Sequence, residues 1–71
     1  MNHTYSVTEI VGSSEKSIED AIGNALQTAR KTLRNLNWFE VTQIRGHLKD
    51  DGSLAHYQVG IKLGFRYEQR S

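Results

Sequence analysis

From Leu54 to Glu68 the chain alternates almost without a break. Ala55, Tyr57, Val59, Ile61, Leu63, Phe65 and Tyr67 share one parity; His56, Gln58, Gly60, Lys62, Gly64, Arg66 and Glu68 share the other. A period of two over that length predicts one long strand with an apolar face and a polar face. Upstream the period changes. Ile18, Ile22, Ala25, Ala29, Leu33 and Leu36 recur at steps of three and four, flanked by Ala21 and Leu26. That stripe predicts an amphipathic helix over Ile18 to Asn35, about 27 Å long. Ser17 is its expected N-cap, with Asp20 three residues on as a short-armed capping box. Glu19 and Asp20 fall in the first turn, and Arg30, Lys31 and Arg34 in the last two. This placement complements the helix dipole and gives the basic cluster a structural reason.

Two further stretches read as strands. Tyr5 to Gly12 is rich in β-branched residues and closes on the glycine. Its alternation is imperfect: Tyr5, Val7, Glu9 and Val11 share one face, Ser6, Thr8 and Ile10 the other. Trp38 to Lys49 is the second strand, and Asp50-Asp51-Gly52-Ser53 carries the Asp-Gly signal of a hairpin turn. The order is β-α-β-β. If the first strand runs up, the helix returns down, the second strand runs up and the hairpin sends the third down. The longest strand fits best in the centre. The expected fold class is α+β, a three-stranded antiparallel sheet of order 1-3-2 with one helix on one face.

The lengths then conflict. A strand of about 15 residues spans roughly 50 Å, nearly twice the expected helix. The ends of the hairpin and the whole second face must be solvated or covered by other copies. Gly60 and Gly64 lie on that second face, where they leave room for another backbone or a flat ligand. Composition points the same way. The 71 residues form one expected domain, 1–71 with its core at about 5–68, near the size at which a single core only just suffices. With no cysteine there is no disulfide or thiolate metal site. Small scaffolds of this kind lean on oligomerisation.

A net charge of +1 argues against a protein that tracks nucleic acid. No apolar run approaches membrane-spanning length and the N-terminus carries no apolar signal segment, so a cytoplasmic protein without a membrane partner is expected. Trp38 and Phe39, adjacent at the start of a strand, must point to opposite faces, so one ring is left outside the core. On the open face Trp38 offers a plane for stacking, and Gln58 offers a donor and an acceptor side by side, as the imide edge of a heterocycle requires. The alternative is that Trp38 is an interface anchor and Gln58 an ordinary solvated residue. Arg45 and Arg66 are candidates for an anionic group such as a phosphate. The alternative for them is surface ion pairing with Glu40, Glu68 or Glu9. His47 and His56 can meet across the hairpin, but two histidines without a carboxylate cluster make a poor metal site, and none is expected. No nucleophile–base set, paired carboxylate or phosphate loop can be assembled, so no enzyme activity is expected.

The segment Lys31-Thr32-Leu33-Arg34-Asn35-Leu36-Asn37-Trp38-Phe39-Glu40-Val41, continuing to Ile44-Arg45-Gly46, closely resembles the dodecins. So do Glu9-Ile10-Val11-Gly12-Ser13-Ser14, Tyr57-Gln58-Val59 and Gly64-Phe65-Arg66, and the resemblance runs from about Tyr5 to Glu68. It implies a small flavin-binding protein assembled as a hollow homododecamer. It also implies that Trp38 stacks on the isoalloxazine ring across a two-fold axis and that Gln58 holds the ring's polar edge. Arg45 would lie on the phosphate side, which favours FMN over riboflavin. Coenzyme A is a second ligand of some bacterial members, with Arg66 as a weaker candidate there. The implied role is flavin storage and sequestration, in which stacking on indole quenches the flavin's photochemistry. The alternative is a structural self-assembling protein to which flavin binding is incidental.

Overall fold

The computed structural model describes residues 4–67. Four elements follow in the expected order: β1 (Tyr5–Ser14), α1 (Ile18–Ala29), β2 (Leu36–Leu48) and β3 (Leu54–Arg66). The sheet order is β1-β3-β2 and both pairings are antiparallel, as the alternation and the hairpin signal require. Glu68, the expected last residue of the third strand, lies outside the described residues.

The core is small and built on close approach. Val59, Ile61 and Leu63, from the apolar parity of β3, are buried beneath Ala21, Ala25 and Ala29 of α1. The alanines, not the isoleucines, form the centre of the helical stripe; Ile18, Ile22 and Leu26 are its partly buried flanks. Small side chains bring the helix backbone down onto the sheet, and Gly12 is the point of closest approach. A Cβ there would overlap the Ala21 carbonyl oxygen and come within 2.8 Å of the Ala25 Cβ. Gly12 was expected to end the first strand; it lies inside β1, two residues before its end.

Both ends of α1 are fixed by short polar contacts. Ser17 Oγ accepts from the Asp20 N–H at 2.9 Å, the expected N-cap bond. The Asp20 carboxylate does not return to Ser17; it accepts from Ser14 Oγ at 2.7 Å, tying the end of β1 to the helix start. The helix stops at Ala29, after 12 residues and about 18 Å. Beyond it, Lys31 N–H bonds Thr28 O and Thr32 N–H bonds Ala29 O, each at 3.2 Å, so the chain tightens into turns. Asn35 then takes a left-handed φ of 60°, which asparagine tolerates better than most residues, and redirects the chain into β2. The expected helix to Asn35 is therefore too long. Arg30 is its C-cap and Lys31 and Arg34 lie outside it, so the dipole explains at most Arg30. Leu33 and Leu36 still pack on the core, which is why the helical spacing ran on past the helix.

With so short a helix, coverage is worse than the sequence suggested. β3 runs for 13 residues, about 43 Å, and the molecule measures 58 × 20 × 14 Å. α1 packs on β1 and β3. The helix-side residues of β2 are left bare: Phe39, Val41, Ile44 and Leu48 are between 38% and 67% exposed. At the far end the hairpin closes with Gly52 at φ 87°. The Asp51 carboxylate accepts from Ser53 Oγ at 2.6 Å and from Ser53 N–H at 2.9 Å. These bonds favour the ionised form and hold Asp51 below the usual carboxylate range.

Two outcomes are expected. Gly12→Val should cost about 1–3 kcal/mol in urea unfolding, because the new side chain must push strand and helix apart; unchanged stability would contradict so close an approach. Because the folded Asp51 titrates low, its contribution is present above the unfolded carboxylate value and lost as pH falls through the folded one. Ser53→Ala should return Asp51 towards the ordinary range, as followed by NMR titration of its carboxyl carbon.

Candidate functional site

The pairing of β2 with β3 has three irregularities, and the face on which Arg45 and His47 lie depends on the middle one. Val41 pairs with Ile61 and Gln43 with Gly60, so Thr42 is an extra residue on β2. An insertion of one residue reverses the parity of everything after it. Directly opposed residues share a face. Before the bulge, Trp38 (opposite Gly64) and Glu40 (opposite Lys62) therefore point to the open side, with Phe39 and Val41 to the helix side. After it, Gln43, Arg45 and His47 point to the open side and Ile44 to the helix side. Without Thr42 in the bulge, Arg45 would lie behind the sheet from Trp38. The sequence does carry the signal: the apolar parity of this strand shifts between Val41 and Ile44.

Trp38 and Phe39 part company as expected. The Trp38 indole lies flat over Gly64, where an added Cβ would overlap its Cε2, Cζ2 and Nε1 atoms. Trp38 remains 39% exposed, with nothing of the sheet above it. The room over both glycines is thus taken by the chain itself. Over Gly60, a Cβ would meet Thr42 Oγ1 at 3.1 Å. Thr42 Oγ1 in turn donates to Glu9 Oε2 at 3.2 Å, spanning the central strand from β2 to β1. This corrects the expectation that the glycines admit another backbone or a ligand; the surface on offer is the outer face of the indole.

The four candidate residues fall into two groups at opposite ends of the open face. Gln58 and Arg45 are directly opposed near the hairpin. Trp38 is opposite Gly64, six residues along β3 from Gln58, or about 20 Å away. Arg66, opposite Tyr5, lies at the tryptophan end, about 7 Å along the strand from Gly64. One chain therefore brings Arg45 to Gln58 and Arg66 towards Trp38, but not Trp38 to Gln58. Between the groups runs a charged row, Glu40 opposite Lys62 opposite Glu9. Arg45 Nη2 donates to Gln43 Oε1 rather than to an acid, and the suggested Glu68 partner of Arg66 is outside the described residues.

His47 and His56 do meet across the hairpin, with ring centroids 4.7 Å apart and planes 13° from parallel. Nitrogen lone pairs lie in the ring planes, so rings stacked this way do not converge on one ion. Among the described residues there is no group of three or more His, Cys, Asp or Glu side chains that could hold a metal. A hollow of about 570 Å³ lies between β1 and α1, walled by Ile10, Asn24 and Thr28 and away from all four candidates. A smaller one of about 230 Å³ adjoins Trp38 and Phe39, under Leu26 and Arg30. No helix among the described residues is long and apolar enough to cross a membrane.

The sequence model of the dodecin family matches residues 4–68. The chain belongs to the dodecin family. A dodecin of Thermus thermophilus is 49% identical over 69 residues, spanning 97% of this chain and 99% of its own length. The solved dodecin of Streptomyces coelicolor is 56% identical, with a TM-score of 0.89 over 97% of each chain. That of Streptomyces davaonensis is 51% identical, also with a TM-score of 0.89, over 97% of this chain and all of its own. The β-α-β-β topology with strand order 1-3-2 is thus the dodecin fold. Dodecins are small binding proteins rather than enzymes. In this dodecin Trp38 and the Gln58–Arg45 pair sit on one sheet face, about 20 Å apart along the strand.

Trp38 is the chain's one tryptophan, so its fluorescence reports the indole's seat over Gly64. Gly64→Ala is expected to lift the ring, shifting its emission maximum and altering its near-ultraviolet circular dichroism. Spectra unchanged from those of the parent chain would show that the ring does not rest there.

Proposed function

We propose that this dodecin binds a flavin, FMN in the first place with riboflavin as the alternative, between subunits of a homododecamer. One observation supports it above the rest. A half-exposed indole lies flat on an uncovered sheet face, about 20 Å from the Gln58–Arg45 pair on the same face, so copies must combine to bring the two groups onto one ligand. Trp38 supplies the plane on which the isoalloxazine stacks. Gln58 supplies hydrogen bonds to the ring's polar edge, and Arg45 a guanidinium fork suited to a phosphate. Arg66, at the tryptophan end, is suited to the anionic part of a second ligand such as coenzyme A. The role is storage and protection: an excited flavin in contact with an electron-rich indole loses its energy by fast electron transfer before it can react, and burial between subunits slows its escape.

A second reading is supported by a different observation. The bare helix-side row Phe39, Val41, Ile44 and Leu48 is a sufficient reason for self-assembly, with flavin uptake incidental. The two readings separate on Trp38→Ala. Under the flavin reading, titration of flavin fluorescence shows strong quenching by the parent protein. Trp38→Ala weakens binding by at least about tenfold, the equivalent of 1.4 kcal/mol, while particle size by light scattering is kept. Emission that stays bright at saturating protein, or unchanged affinity after Trp38→Ala, would overturn the flavin reading. Loss of assembly with no specific loss of uptake would favour the structural one.

A further inference from the structure

The two histidines at the hairpin end have no role in the reading above, yet they form a defined stacked pair on the open face. His47 lies directly opposite His56, and the rings stack at 4.7 Å and 13°. Two residues beyond His56, on the same face, Gln58 Oε1 lies 2.9 Å from His47 Nε2. An amide oxygen only accepts, so the imidazole tautomer that fits this contact carries its proton on Nε2 and donates it. We propose that His47 is a positioning residue for Gln58, holding its carboxamide so that the NH2 group is presented to the ligand. The inference rests on the reading of Gln58 as the residue that meets the ring edge.

Free glutamine side chains rotate and can present either end of the amide. Here two contacts remove that freedom, and no third group competes. His56 fixes the plane of the His47 ring by stacking, the ring's edge then fixes the Gln58 oxygen, and Arg45 is not in competition for it. Although directly across from Gln58, Arg45 donates to Gln43 Oε1 on its own strand. With one lone pair of its oxygen engaged by His47, Gln58 turns its NH2 group to the ligand, and the ligand edge that matches it is an acceptor such as a ring carbonyl oxygen. An ordered donor also has less freedom to lose on binding, which raises affinity without any new contact.

The test uses the whole assembled protein and riboflavin, which lacks the phosphate that Arg45 would engage. His47→Val suits a strand but removes the donor; it is expected to weaken riboflavin binding about three- to tenfold. His47→Gln, which keeps an N–H at similar reach, should bind within about twofold of the parent. In a Gln58→Leu background, His47→Val should add no further loss. Parent-like binding by His47→Val, failure of His47→Gln to restore affinity, or an undiminished effect of His47→Val without Gln58 would overturn the proposal. If His47→Val does not assemble, His56→Val keeps the donor but removes its stacking partner; a loss in the same direction supports the proposal and parent-like affinity overturns it. If the parent protein itself does not bind riboflavin or FMN, the flavin reading fails and this inference fails with it. If the parent binds and Gln58→Leu weakens it while His47→Val does not, only the inference fails.

Discussion

A helix of 12 residues cannot cover a sheet whose central strand runs for 13. At about 1.5 Å per residue against about 3.3 Å, the helix spans less than half the strand's length. It is also drawn down tightly by alanines and Gly12, which commits it to β1 and β3. Everything else on the molecule follows from where that helix is not. The helix side of β2 keeps an apolar row exposed, the open side keeps its indole exposed, and the hairpin projects well past the core. Among the described residues, a single copy buries only Ala21, Ala25, Ala29, Val59, Ile61 and Leu63 as its apolar centre. With a centre that small, further apolar burial has to come from association.

The second determinant is the bulge at Thr42. It reverses the face of each later residue on β2, and so puts Arg45 and His47 on the same side as Trp38 and Gln58. It also turns a surface threonine into a strut, since Thr42 Oγ1 reaches over Gly60 to Glu9 on the other edge strand. Glycines that would elsewhere mark a vacancy mark occupied ground here: Thr42 fills the space over Gly60 and Trp38 the space over Gly64. The open face is therefore largely preformed, with its aromatic plane and its amide each supported from below or beside.

Much of this was legible in the sequence where a period was strong and unopposed. The alternation of β3 gave its buried face, Val59, Ile61 and Leu63, and the Asp51-Gly52 turn gave the antiparallel hairpin. Local propensity failed where packing overrode it. Leu33 and Leu36 keep helical spacing because they pack on the same core, though the chain has already left the helix at Ala29. Gly12 looked like a strand end and is a packing contact. Trp38, Gln58, Arg45 and Arg66 could be picked out by residue type and by resemblance to the dodecins, but not their distribution into two groups. That depends on register, and on a bulge betrayed only by the parity change from Val41 to Ile44. The meeting of His47 with His56 could be read from the hairpin, but not the diagonal hydrogen bond that brings Gln58 Oε1 to His47 Nε2.

The distance from Trp38 to Gln58 makes a definite demand on the complete protein: its ligand site should exist in the assembly and not in the single chain. Sedimentation velocity followed at a visible flavin absorption band, on protein diluted or mildly destabilised until assembled and dissociated species coexist, reads this directly. Flavin absorbance is expected to travel with the assembled species alone. Flavin travelling with the dissociated chain, at comparable occupancy, would contradict a site made between copies.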